Sequence, residues 1–175
     1  MVRLLVVVVV VVIVALLAYA AIQPGRFQIR RSIRIHAPPD RVFSLINDFE
    51  QFNRWNPWLK KDPTTKGTYG EKTSGPGARY AWDSAKIGSG EMTVVESTAP
   101  AKVALKLDFV RPFEAHNDAE FSISPDGDGS QVSWTMTGPS PLLSRVMQIF
   151  ISMEKMVGPD FEAGLAALKA LAEAR

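Results

Sequence analysis

The chain has 175 residues, with 20 Lys and Arg against 18 Asp and Glu, two histidines and no cysteine. That length suits one domain of ordinary size with an appendage, and the near-balanced charge argues against a dedicated nucleic-acid binder. Disulfides, thiolate nucleophiles and cysteine-held metals are excluded, and His36 and His116 alone make no histidine-rich metal site; no metal or cofactor is expected.

Leu4 to Ile22 is an uncharged run, LLVVVVVVVIVALLAYAAI, close to the ~20 residues that span a bilayer as helix. Valine is a mediocre helix former in water, but in lipid the cost of unsatisfied backbone groups enforces helix. The run predicts a single-pass N-terminal anchor in contact with the lipid bilayer, with Tyr19 near an interface. The competing reading is a signal segment cleaved near Ala20, with Arg3 as its charged start and Ala18-Tyr19-Ala20 as the small-x-small pattern. Residues 1–25 are therefore expected to be the anchor or signal, and residues 26–175 the domain. Arg3 on one side is opposed by Arg26, Arg30, Arg31 and Arg34 on the other, so the charges do not choose a side of the membrane.

Past Gln23-Pro24-Gly25, a strand is predicted in which Phe27, Ile29, Ile33 and Ile35 share one parity and Gln28, Arg30, Ser32, Arg34 and His36 the other. Arg31 is the one polar residue on the apolar side. Pro38-Pro39-Asp40 stops the strand and starts a helix, with Val42, Phe43, Ile46 and Phe49 as its apolar stripe. Phe52, Trp55 and Trp58 continue the aromatic content past Pro57, which is expected to break any helix. Residues 60–77 form a loop-rich stretch with a short strand near Thr68 and Tyr69. Its Gly67-Thr68-Tyr69-Gly70-Glu71-Lys72-Thr73 lacks the glycine that a phosphate loop places before its lysine.

A run of strands follows, carrying Tyr80 and Trp82; Met92 and Val94; Val103, Leu105, Leu107 and Phe109; Asn117, Ala119, Phe121 and Ile123; and Val132, Trp134 and Met136. Short turns, including the Asp126-Gly127 hairpin, imply an antiparallel meander. Two helical segments end the chain: Leu142 to Met156, then a break or kink at Gly158-Pro159-Asp160, then a stripe of Phe161, Leu165, Leu168 and Leu171.

The ordered set of local pieces resembles the SRPBCC superfamily (START-like, polyketide cyclase/dehydrase type). Its members begin with a strand, an Ala-Pro turn and a helix ending near Trp-x-x-Trp; Ala37-Pro38 and Trp55-Asn56-Pro57-Trp58 stand in those places. Arg111-Pro112-Phe113 with Ala115-His116-Asn117, Val132-Ser133-Trp134, and Met156-Val157-Gly158 with Phe161-Glu162 and Gly164-Leu165 extend the similarity over roughly residues 27 to 173. The resemblance implies an α+β helix-grip fold: a curved antiparallel β-sheet wrapped around a long C-terminal helix, preceded here by one transmembrane helix.

Strand parity places Tyr80, Trp82, Met92, Leu105, Leu107, Phe109, Asn117, Phe121, Trp134 and Met136 on the helix-facing side, with Met153 offered by the helical segment above. Large aromatics and methionines in that position are either plain core or the lining of a pocket for a small apolar ligand, with Tyr80 and Asn117 as its polar groups. The resemblance implies the pocket. Both histidines fall on the outer parity and no pair of acids faces inward, so no acid, base or nucleophile is assigned. Three classes of function follow: a membrane-tethered binder of a small hydrophobic ligand of lipid or polyketide type, a cyclase- or hydrolase-like enzyme using the same cavity, or an interaction module with a filled core. No protein partner is named by the residues.

Overall fold

The computed structural model describes residues 2–150 and 152–174. A long helix α1 (Val2–Ile22) precedes strand β1 (Arg26–Ile35), three short helices α2 (Pro39–Asn47), α3 (Phe49–Phe52) and α4 (Pro57–Lys61), and a meander. The meander is β2 (Lys66–Tyr69), β3 (Arg79–Ser84), β4 (Gly88–Thr98), β5 (Lys102–Arg111), β6 (Ala115–Asp126) and β7 (Gly129–Pro139). Helices α5 (Leu142–Phe150) and α6 (Met153–Glu173) end the chain. The seven strands form one sheet in the order β1-β7-β6-β5-β4-β3-β2, every pairing antiparallel. This is the helix-grip fold, with α6 packed along β1 over the apolar face of the sheet.

The predicted alternation of β1 holds: Ile29 and Ile35 are buried, while Gln28, Arg30, Ser32 and Arg34 point to solvent. Arg31, the odd polar residue, lies under α6. Its Nε is 2.6 Å from Glu162 and its Nη1 2.5 Å from Glu154. The guanidinium occupies the space that a side chain at Gly158 would fill. Glu154, Gly158 and Glu162 are spaced by four, so they share one face of the helix.

Two expectations fail, and that ion-pair cluster bears on the first. The helix does not break at Gly158-Pro159; it ends earlier, between α5 and α6, and α6 runs through Pro159. An interior proline removes one hydrogen bond at a cost of about 3 kcal/mol. Here Arg31 ties the turn before the proline to the turn after it, and Lys155, whose carbonyl the ring leaves unserved, is exposed. Nor does Pro57 break a helix. It opens α4 at the first helical position, where it loses no hydrogen bond, and the Asn56 side chain caps the turn by accepting from the Trp58 N–H at 3.1 Å.

The core is dominated by aromatic rings. Trp134 of β7 stacks on Phe161 of α6 with centroids 4.0 Å apart, and on Phe121 of β6 at 4.8 Å. Phe52, Trp55 and Trp58 meet Trp134 nearly edge-on at 5.7–6.5 Å. The Trp55 indole donates to the Leu45 carbonyl at 2.8 Å, which fixes the elbow after α2. Gly164 of α6 lets the helix approach Trp134 and Pro57 closely.

Candidate functional site

The register sorts the candidate side chains into rows across the concave face. Tyr80, Met92, Leu107 and Asn117 stand opposite one another on successive strands, and Phe27 of β1 faces Gly138 of β7 beyond Asn117. One step nearer the start of β1, Trp82, Gly90 and Phe109 form a shorter row. One step further from it, Leu105, Ala119 and Met136 line up, and then Phe121 and Trp134. All ten strand residues thus share the concave face.

The two halves of that face differ. Phe121, Trp134, Met136 and Leu105 are buried among the α6 side chains and the elbow aromatics. In the half nearer the start of β1 the cover thins. The helices pack over β1 and β5–β7, and Trp82 of β3 and Phe109 of β5 stay half-exposed, their rings in edge contact at 5.6 Å. Glycines make the floor here. The Trp82 ring lies where a Gly90 side chain would be, Tyr80 covers Gly67, and Asn117 covers Gly138. Each small residue faces a larger one, so these side chains lie close against the backbone.

Polar groups are sparse on this face. Asn117 is 8% exposed, and its amide makes no hydrogen bond among the described residues. Its polar atoms are not wholly shut off from solvent, so the amide is available to water or to a bound molecule. Tyr80 is buried, and burial holds its hydroxyl pKa above the usual tyrosine value, so the ring is a neutral donor at physiological pH. The Trp134 Nε1 is also buried and finds no partner among the described residues. Met153, at the start of α6, sits with Phe27 and Ile29 rather than over the β3–β5 half. It lines a groove of about 410 Å³ between the end of α1, the start of β1 and the α5–α6 junction. A second concavity, of about 640 Å³, lies on the outer face among Arg30, Lys102, Glu120 and Thr135.

Titratable groups cluster outside. His116 Nδ1 is 2.6 Å from Asp108, and that hydrogen bond raises the imidazole pKa. No hydroxyl nucleophile completes the pair among the described residues, and His116 is exposed on the outer face. Asp62 is buried at the end of α4, where the Ser84 and Thr64 hydroxyls donate to it and lower its pKa to about 2. It ties α4 to the β3–β4 turn, a positioning role at the same end of the sheet as Trp82. Sequence reasoning missed this tie and the Arg31 cluster. The isolated arginine on the apolar parity of β1 was the available signal for the second.

Residues 26–173 match the family described as polyketide cyclase / dehydrase and lipid transport. The chain belongs to this family, within the SRPBCC superfamily. No curated protein matches its sequence. Among solved structures it is similar to protein CV1439 from Chromobacterium violaceum, at 15% identity and a TM-score of 0.61 over 87% of this chain and 100% of that one. It is also similar to the Aha1 dimer from Colwellia psychrerythraea, at 13% identity and 0.61, over 84% and 96%. The di-domain ARO/CYC StfQ from the steffimycin biosynthetic pathway matches at 12% identity and a TM-score of 0.62, over 85% of this chain and 51% of its own length. At these identities the likeness is one of fold.

Proposed function

We propose that this SRPBCC domain binds a small hydrophobic ligand, of lipid or polyketide type, on the concave face, and that α1 holds the domain at a membrane. The observation that carries the reading is the half-exposed Trp82–Phe109 corner, floored by Tyr80, Met92 and Leu107, with the unpaired Asn117 amide at its edge. An apolar surface with one unspent polar group is what a ligand pocket of this class offers. Burying apolar area there stabilises a complex by about 25 cal/mol per Å², and an acceptor or donor on the ligand would satisfy Asn117. Phe121, Trp134, Met136 and Leu105 form the deep wall of the site, with Met153 at its β1 side. Residues 26–175 are the binding domain in this reading.

The membrane part rests on α1, which is 21 residues long and apolar enough to cross a bilayer. Its side chains are exposed along nearly all of its length, as a lipid-facing helix requires, and it meets α5 at its C-terminal end. A second reading, an interaction module with a filled core, is favoured by the stacked Trp134, Phe121 and Phe161.

Ala119 separates the two. It lies between Leu105 and Met136 at the boundary of the open and filled halves. Ala119→Phe takes volume from a ligand space and should leave the domain stable while reducing the small molecule that native mass spectrometry finds with it. In a filled core the same change overpacks, costing about 1–3 kcal/mol. A destabilised variant with no bound molecule in either protein contradicts the ligand reading. Cleavage of the chain after Ala20 in the cell would contradict the tether.

A further inference from the structure

The register places four features at one end of the sheet. β1 begins opposite the end of β7, Arg26 facing Pro139. β5 ends opposite the start of β6, Phe109 facing Ala115, and β4 begins beside the ends of β3 and β5, Gly88 facing Ser84 and Ser89 facing Arg111. The exit of α1, the connection to α5, the β5–β6 hairpin and the β3–β4 turn therefore share this end. The half-exposed Trp82 and Phe109 lie there too.

This end carries exposed apolar side chains. Phe113 at the hairpin tip is 76% exposed and Val110 beside it 65%. Met147 of α5 is 51% exposed, Leu142 is exposed as well, and Ile22 at the end of α1 is 79% exposed. At the opposite end the β6–β7 turn presents Asp126 and Asp128, paired with Arg34.

α5 is joined to α1 by a specific device. Arg145, the only charged residue in LLSRVMQIF, donates from Nη1 to the carbonyls of Ala20, Ala21 and Gln23 at 3.1–3.2 Å. These carbonyls lie at and just past the end of α1, where helix carbonyls run out of intrahelical partners; that of Ala20 also accepts from the Gln23 N–H at 3.3 Å, and a cation there suits the helix dipole. The one charge of α5 is thus partly buried and spent on backbone carbonyls, and α5 is fixed to the end of α1 rather than hung from a loose tether.

We propose that this end of the sheet is a membrane-docking face whose partner is the bilayer that α1 enters. α5 lies at the boundary of headgroups and acyl chains with Leu142 and Met147 turned to the lipid, and the β5–β6 hairpin sets Phe113 and Val110 in the same layer. An apolar helix face and an aromatic at that depth match the chemistry of the interface. The proposal rests on the reading that α1 spans a membrane, and is continuous with it. It also narrows the ligand class. The Trp82–Phe109 corner and the groove beside Phe27 and Met153 open at bilayer level, so the ligand is a molecule dissolved in the membrane and taken up without crossing water.

The chain has no cysteine, so single labels are clean. The full chain is placed in phosphatidylcholine vesicles carrying doxyl-labelled acyl chains, with an NBD fluorophore on Val10→Cys, Met147→Cys, Glu114→Cys or Ser124→Cys. Glu114 adjoins Phe113 and leaves it in place. Labels at 10, 147 and 114 are expected to be quenched several-fold more than the label at 124, and Phe113→Asp should reduce quenching at 114. If position 10 is quenched while 147 and 114 behave like 124, α1 spans the bilayer but the face does not dock, and the proposal is overturned. Quenching at only one of 147 and 114 overturns a single docked face. An apolar but unquenched label at 114 places a protein there instead and also overturns it. No quenching at position 10 overturns the tether together with the docking.

Discussion

Replacing Gly164 with valine tests whether α6 is seated on the sheet as described. A Cβ at this position would lie 2.9 Å from Trp134 Cζ3 and 3.1 and 3.2 Å from Pro57 Cδ and Cγ. Carbon atoms pack comfortably at about 3.5–4.0 Å, so α6 has to retreat by roughly 0.5–1 Å, and a gap of that size forfeits about a quarter to a half of each contact's attraction. The contacts at risk are the Trp134–Phe161 stack and the burial of Leu165 and Leu168. Neither obstacle is the end of a flexible chain, since Trp134 is held between Phe121 and Phe161. Overpacking of this kind costs about 1–3 kcal/mol. Alanine regains roughly 1 kcal/mol of helix propensity over glycine, and valine less than that. Gly164→Ala should therefore lose about 0–2 kcal/mol and Gly164→Val about 1–3 kcal/mol. Urea unfolding of residues 26–175, followed by tryptophan fluorescence, reads both. A valine variant as stable as the parent would refute the close seating of α6.

Other outcomes follow from the same contacts. Leu168→Asp puts an unpaired charge at a fully buried position and should destabilise by about 4 kcal/mol or more, while removal of residues 159–175 should abolish cooperative unfolding. Arg31→Ala should lower the urea midpoint of the domain modestly, because both of its carboxylate partners are substantially exposed. In that background Gly158→Ala should stabilise by about 0.5–1 kcal/mol, because the guanidinium no longer occupies the space; a double-mutant cycle without coupling would contradict the cluster. Asp62 has a folded pKa of about 2, below the ordinary 3.8, so it contributes stability above the ordinary value that is lost as pH falls through about 2. Acid unfolding of Asp62→Asn should lack that part of the pH dependence, and an unchanged acid profile would count against the Ser84–Thr64 tie.

The fold was legible because its strands alternate cleanly. Period-two spacing alone puts Leu105, Leu107, Asn117, Phe121 and Trp134 on one face, and all lie there. The helix ends were less legible, because proline carries two meanings. At Pro57 it starts a helix that spacing took to be broken, and at Pro159 it is bridged by an ion pair from a strand more than a hundred residues away. Such long-range compensation leaves no local signature. Spacing could name the inward residues but could not tell the half that α6 and the elbow fill from the half around Trp82 and Phe109, since that depends on where the helices rest. Arg145 was unreadable for the same reason: its carbonyl partners belong to α1.

The concave-face site is tested most directly by the methionine methyl and tryptophan indole spectrum of residues 26–175 titrated with an apolar probe, 1-aminoanthracene. The five methionines of this stretch are spread informatively: Met92 floors the open corner, Met136 lies deeper, and Met147 and Met156 are exposed. The account predicts saturable shifts of the Met92 methyl and the Trp82 indole N–H, with Met147 and Met156 unmoved, and loss of those shifts in Ala119→Phe. Shifts confined to Met147 and Met156, or none at Met92 and Trp82, would contradict it.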